Sequence, residues 1–190
     1  MNNVAFIVDG QQEQKILQKI CPGSPIRRLN CNGEHVELVA AAKRAASLIR
    51  LIGNAFYPIV MVFDREKRPD SSEKIEKELL RLILQEGITT EVIIGVPDRM
   101  IENWTLADWD TVSTHGQLKG KRPDTIEGKN GKSIICKLLP KSRYYHETIE
   151  GVDWFLRAKA EILYETSRSF ERFADALASI NCAWLKNRTV

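Results

Sequence analysis

The chain has 190 residues, 43% of them hydrophobic and 28% charged, with a formal net charge of +3. That length supports one well-cored domain with a small appendage, and the mild positive charge permits a polyanionic partner without demanding one. No apolar run approaches the roughly 20 residues that cross a bilayer. The first residues carry no secretory pattern, and the scattered cysteines at 21, 31, 136 and 182 lack Cys-x-x-Cys spacing. The expectation is therefore reduced thiols in a cytoplasmic protein, with no disulfide or zinc framework and no membrane partner.

In chain order, Val4-Ala-Phe-Ile-Val8 is a short apolar run ending in Asp9-Gly10, which reads as a buried strand with a glycine turn at its exit. A helix follows, with Ile16, Leu17 and Ile20 on one face and Glu13 in its first turn, where the helix dipole favours a carboxylate. Cys21-Pro-Gly-Ser-Pro25 stops it. Residues 26–31 read as a short strand and Asn32-Gly33 as a turn. A long helix is expected over 34–52, closed by Gly53-Asn54.

The sequence centres on Ile59-Val-Met-Val-Phe-Asp64-Arg-Glu66. Five apolar residues predict a strand buried on both faces, as in a parallel sheet. Asp64 and Glu66 stand at its carboxyl end, the edge at which open α/β sheets bind ligands. If the extended conformation continues, residues i and i+2 face the same side. Paired hard oxygen ligands of this kind suit Mg²⁺ or Mn²⁺. Ser71-Ser72 then caps a helix with Ile75, Leu79, Leu82 and Ile83 inward, and residues 91–96 form another buried strand. Strand–helix alternation at these spacings predicts a mostly parallel sheet flanked by helices. Beyond Pro97-Asp98 a helix turns Ile101, Trp104 and Leu106 to the core and brings Glu102 near the same edge.

Residues 114–143 are polar and basic, with Lys119, Lys121, Arg122, Lys129, Lys132, Lys137, Lys141 and Arg143 against Asp124 and Glu127. Glycines at 116, 120, 128 and 131 predict a mobile loop. As nucleic-acid-binding candidates, Lys119, Lys121, Arg122, Lys129, Lys132, Lys141 and Arg143 would grip a phosphate backbone. Tyr144, Tyr145 and His146 anchor the end of that loop to the core, with base stacking or proton donation as the alternatives. Two amphipathic helices, near 149–164 and 168–184, close the chain as packing elements. The expected division is an α/β core over 1–112, with the basic loop and a C-terminal helical extension over 113–190 packed on the same domain.

Together these stretches resemble the TOPRIM (topoisomerase–primase) fold of OLD-type nucleases and of small stand-alone proteins of bacterial defence loci. Asp9-Gly-Gln-Gln-Glu13 is similar to that family's Glu-Gly-x-x-Glu, and Asp64-Arg-Glu66 to its Asp-x-Asp. Glu102-Asn-Trp-Thr-Leu-Ala-Asp108 is similar to its Glu-x-Trp-x-Leu-x-Asp, and Ser167-Arg-Ser-Phe-Glu-Arg-Phe173 to its Ser-x-Ser-Phe-x-x-Phe. Asp9 and Glu66 each exchange one carboxylate for the other, and Glu147 stands where a lysine is common. The resemblance implies a TOPRIM-like, Rossmann-like sheet and a Mg²⁺ (or Mn²⁺) site drawn from Asp9, Glu13, Asp64, Glu66 and Glu102. It implies Glu13, Asp64 and Glu66 as catalytic residues in phosphodiester hydrolysis of DNA or RNA, in an anti-phage effector. An ABC- or AAA-type ATPase is the implied partner, since the chain has no Gly-x-x-x-x-Gly-Lys-Ser/Thr loop of its own. The alternatives are a non-catalytic TOPRIM-like subunit of such a complex and a Mg²⁺-dependent phosphotransfer enzyme on a flavodoxin-like sheet.

Overall fold

A computed structural model describes residues 4–31 and 36–177. Cys182, the turn at 32–33 and the last expected helix beyond residue 177 lie outside them. Three apolar runs form strands β1 (Ala5–Val8), β3 (Ile59–Val62) and β4 (Val92–Gly95), and the Ile-Arg-Arg segment forms a short edge strand, β2 (Ile26–Arg28). They make one sheet in the order β2-β1-β3-β4, with every neighbouring pair parallel. The protein is thus an α/β domain whose sheet is entirely parallel, and helices flank both faces as the alternating pattern predicts.

Side chains alternate across the sheet as the pleat requires. Ala5, Ile7, Ile59 and Met61 face α2 (Leu38–Ile52) and α3 (Ser72–Gln85), where Ala41, Ala42, Ala45 and Ala46 let a helix approach closely. Phe6, Val8, Val60, Val62 and Ile93 face the other way. They pack on α1 (Gln11–Ile20), α4 (Ile101–Ala107), α7 (Val152–Arg157), α8 (Ala160–Thr166) and α9 (Arg168–Ala176). The C-terminal helices therefore share one face of the sheet with α1 and α4, with Phe155, Phe170 and Phe173 in the same core as Phe6.

The connections place the site. The chain leaves β1 through α1 on one face and moves outward to β2. It then returns through α2 on the opposite face to β3, and continues through α3 to β4. The direction reverses between β1 and β3, and the crevice outside their carboxyl ends is the topological switch point.

Two local expectations are corrected. The 114–143 stretch is not a mobile loop. It holds the end of α5 (Trp109–Gly116) and all of α6 (Gly131–Leu138), which Asn130 caps by accepting from the Ser133 N–H. Ile135 and Leu139 pack with Leu106, Trp109, Val112 and Trp154 in a small separate core. The helix expected over 149–164 is broken into a single π-turn (Glu147–Gly151), α7 and α8. The turn expected at the exit of β1 is present, with a bend at Asp9-Gly10 where the Gly10 backbone is extended (φ −123°, ψ −173°).

Candidate functional site

β1 and β3 run side by side in register, Val8 opposite Val62, so the residues after them emerge together. The Asp9 N–H still donates to the Val62 carbonyl (3.1 Å) and the Phe63 N–H to Gly95 (3.0 Å). Asp9 and Asp64 therefore leave adjacent strands at the switch point. Glu13 reaches the same place from the third position of α1. Its Oε2 accepts the Gly10 N–H at 3.0 Å and its side chain is buried. A Cβ on residue 10 would lie 2.8 Å from that oxygen, so what glycine provides here is close approach to Glu13. Glu102, near the start of α4 and 3% exposed, accepts a hydrogen bond from the Tyr145 hydroxyl at 3.0 Å.

Asp64 and Glu66 do come to one cleft, but not by the expected route. β3 ends at Val62, and the chain then turns, with Glu66 in the left-handed region (φ 56°). Asp9, Glu13, Asp64, Glu66 and Glu102 all line a cleft of about 490 Å³, together with Arg68, Lys132 and Glu147.

Burial and mutual repulsion dominate the electrostatics. Desolvation raises the Asp9 carboxyl to about 6 against the opposing Arg68 charge, with Glu66 pushing the same way. Desolvation raises Glu13 to about 7, and Glu102 and Asp9 add to the rise. Asp64 stands well above the usual carboxylate range, first through burial and then through Glu13, Asp9, Glu102 and Glu66. Burial also raises Glu102, while the Tyr145 hydrogen bond opposes it. The Asp64 Oδ1 atom is fully enclosed and has no hydrogen-bond partner.

An orphaned carboxylate oxygen amid four other acids is the donor set a hard divalent cation needs, and the residues fit Mg²⁺ or Mn²⁺ in kind. Among the described residues, no group of three or more His, Cys, Asp or Glu side chains is arranged to hold a metal ion by itself. A cation here would complete its coordination with water, as Mg²⁺ commonly does.

The basic candidates are dispersed. Lys132, at the start of α6, lines the cleft and is ion-paired with Glu147. Arg143 is turned to the Gly116 carbonyl (2.9 Å). Lys119, Lys121, Arg122, Lys129 and Lys141 are exposed and do not line the cleft. The remaining motif residues are structural. Trp104 donates its indole N–H to Ser169 (2.8 Å) and stacks on Phe173 with centroids 5.1 Å apart. Ser167 caps α9, and Asp108 accepts from the Thr111 N–H (3.3 Å) and the Lys159 N–H (2.9 Å). Sequence reasoning missed Arg68, whose only sequence signal is its place four residues after Asp64, and the pairing of Lys132 with Glu147, which has none.

Compared with models of known protein families, with curated proteins and with solved structures, the chain finds no match.

Proposed function

We propose that the protein is a TOPRIM-like, metal-dependent phosphodiesterase acting on nucleic acid. The carrying observation is the convergence of Asp9, Glu13 and Asp64 at the switch point, with Asp64 Oδ1 buried and unpartnered. Asp64 and Asp9 are the residues to hold a Mg²⁺ or Mn²⁺ ion, with Glu66 and Glu102 as further ligands. Such an ion, when bound, lowers the pKa of an attacking water and stabilises the leaving oxygen. Glu13 is suited to be the general base. Its Oε2 is fixed by the Gly10 N–H, leaving Oε1 to take the water's proton, and its affinity for that proton, at about 7, matches neutral pH. Lys132, which shares the cleft with Arg68, is the cation suited to a phosphate oxygen, exchanging its Glu147 partner for it. Contacts to the backbone alone carry no base sequence, so specificity would come from elsewhere. In keeping with the four-motif resemblance, we assign the activity to an anti-phage effector restrained by an ABC- or AAA-type ATPase.

The dispersal of the other basic residues away from the cleft favours a second reading, a non-catalytic TOPRIM-like subunit of such an ATPase complex. One experiment separates them. The purified protein is incubated with plasmid DNA, single-stranded DNA and total RNA under Mg²⁺, Mn²⁺ or EDTA, beside Asp64→Ala, and then again with the ATPase encoded nearby. Metal-dependent cutting that vanishes in the variant is expected. No cutting with or without the ATPase leaves the binding subunit.

A further inference from the structure

Asp64 and Glu66 sit on a turn beyond the end of β3, so ladder hydrogen bonds do not hold them. The Glu66 N–H donates to the Arg99 carbonyl at 2.7 Å, which fixes one end. Arg65 pairs with Asp98 (3.1 Å) and donates to the Asp70 carbonyl (3.2 Å), while the Arg68 N–H donates to the Arg65 carbonyl (3.3 Å); the Arg68 side chain ties the turn to its surroundings. Its Nη1 donates to the carbonyls of Asp64 and Arg65, each at 3.1 Å. Its Nη2 donates to the Val36 carbonyl at 2.7 Å, and its guanidinium carbon lies 4.7 Å from the centroid of the Phe63 ring.

One side chain thus joins the exit of β3, the acidic turn and the segment leading into α2. The Asp64 and Arg65 carbonyls have left the sheet ladder, and backbone acceptors in such a position need a partner. Bridging three carbonyls while stacked on a ring requires the planar fork of a guanidinium, which the compact ammonium of lysine does not supply. Arg68 also lines the cleft beside the acids. Lys132, the other cation there, is engaged with Glu147.

We propose that Arg68 is the positioning residue of the acidic centre: its guanidinium fixes the 64–66 turn so that Asp64 and Glu66 face a divalent cation together, without itself touching it. The proposal rests on the metal reading above. Substitution of groups that orient metal ligands commonly costs 10–100-fold in affinity, which sets the size of the effect.

The test uses the full chain with Arg68→Ala, Arg68→Lys and Arg68→Met, the last keeping an apolar stem against Phe63. Mn²⁺ is titrated by electron paramagnetic resonance of the free ion, and trypsin cleavage after Arg65 and Lys67 is timed without metal. All three variants are expected to bind Mn²⁺ at least about tenfold more weakly than the wild type and to be cut faster at the turn. Guanidinium at millimolar concentration is expected to restore Mn²⁺ binding to Arg68→Ala, which a general loss of packing would not permit. Folded variants that bind Mn²⁺ within twofold of the wild type overturn the role of Arg68 and leave the metal reading standing. A wild type that binds no Mn²⁺ overturns both.

Discussion

Among the described residues, acidic groups are buried in two places, and the two are built differently. Asp108 is 4% exposed, and its carboxylate oxygens accept N–H groups from α5 and from Lys159, where α7 gives way to α8. Beside it, Trp104 and Ser169 satisfy each other. At the switch point, Asp64 keeps an enclosed oxygen with no partner, and Asp9, Glu13 and Glu102 raise its proton affinity further. A buried polar group that is fully bonded holds structure together, whereas one left unbonded among like charges costs stability. The proposed cation would offset that cost. Both regions fall within the stretches that resemble the TOPRIM motifs, and only the geometry separates scaffold from chemistry.

That contrast can be broken most sharply with one pair of substitutions. Asp64→Ala should remove metal affinity by more than the roughly hundredfold ceiling of orienting substitutions, as measured by isothermal titration with Mn²⁺. Asp108→Ala should leave the affinity of the folded protein unchanged. It should cost about 2–4 kcal/mol in urea unfolding, because two N–H groups lose their partner. Similar behaviour of the two variants would erase the distinction.

The pH dependence of stability sharpens it next. Glu13 and Asp9 bind protons more tightly folded than unfolded, so their protonation stabilises the metal-free fold below their ordinary values. That contribution is lost as pH rises through about 6 and about 7. For Glu13, moved from 4.5 to about 7, the loss is up to about 3 kcal/mol. Metal-free stability should fall between about pH 4 and 7, and Glu13→Gln should flatten the slope. Metal affinity should rise over the same interval, since binding displaces the protons. The smallest expected effect is Trp104→Phe, which gives up one buried hydrogen bond to Ser169 and should cost about 1–2 kcal/mol with metal binding untouched.

Much of this was legible in the sequence. The apolar runs ending in Asp9 and Asp64 announce strands because four or five consecutive buried residues suit a sheet covered on both faces, and their parallel order follows from the helices between them. Glu102 was legible from its place just past a strand's carboxyl end, and Glu13 from the resemblance of Asp9-Gly-Gln-Gln-Glu13 to the TOPRIM family's first motif. The turn at Glu66 was not, because nothing in Asp-Arg-Glu-Lys-Arg marks a left-handed residue. The helix over Gly131–Leu138 was obscured by glycine and lysine, although Asn130 followed by Ile134, Ile135, Leu138 and Leu139 carries a cap and an apolar stripe. The break between α7 and α8 has no local signal, since Ala158 and Lys159 are neither glycine nor proline; a distant carboxylate, Asp108, accepts the Lys159 N–H there. Tyr145 anchors the end of the basic stretch as expected, and it does so on Glu102 itself.

The most direct measurement is the melting temperature of the wild type and of Asp64→Asn, each with and without Mn²⁺. At this size 1 kcal/mol corresponds to about 2–4 °C. Without metal, Asp64→Asn should melt above the wild type, because the substitution removes a carboxyl whose ionisation burial and the neighbouring acids oppose. Mn²⁺ should raise the wild type and leave Asp64→Asn where it was. A wild type that ignores Mn²⁺, together with an Asp64→Asn that melts lower, would make Asp64 a structural residue and contradict the account.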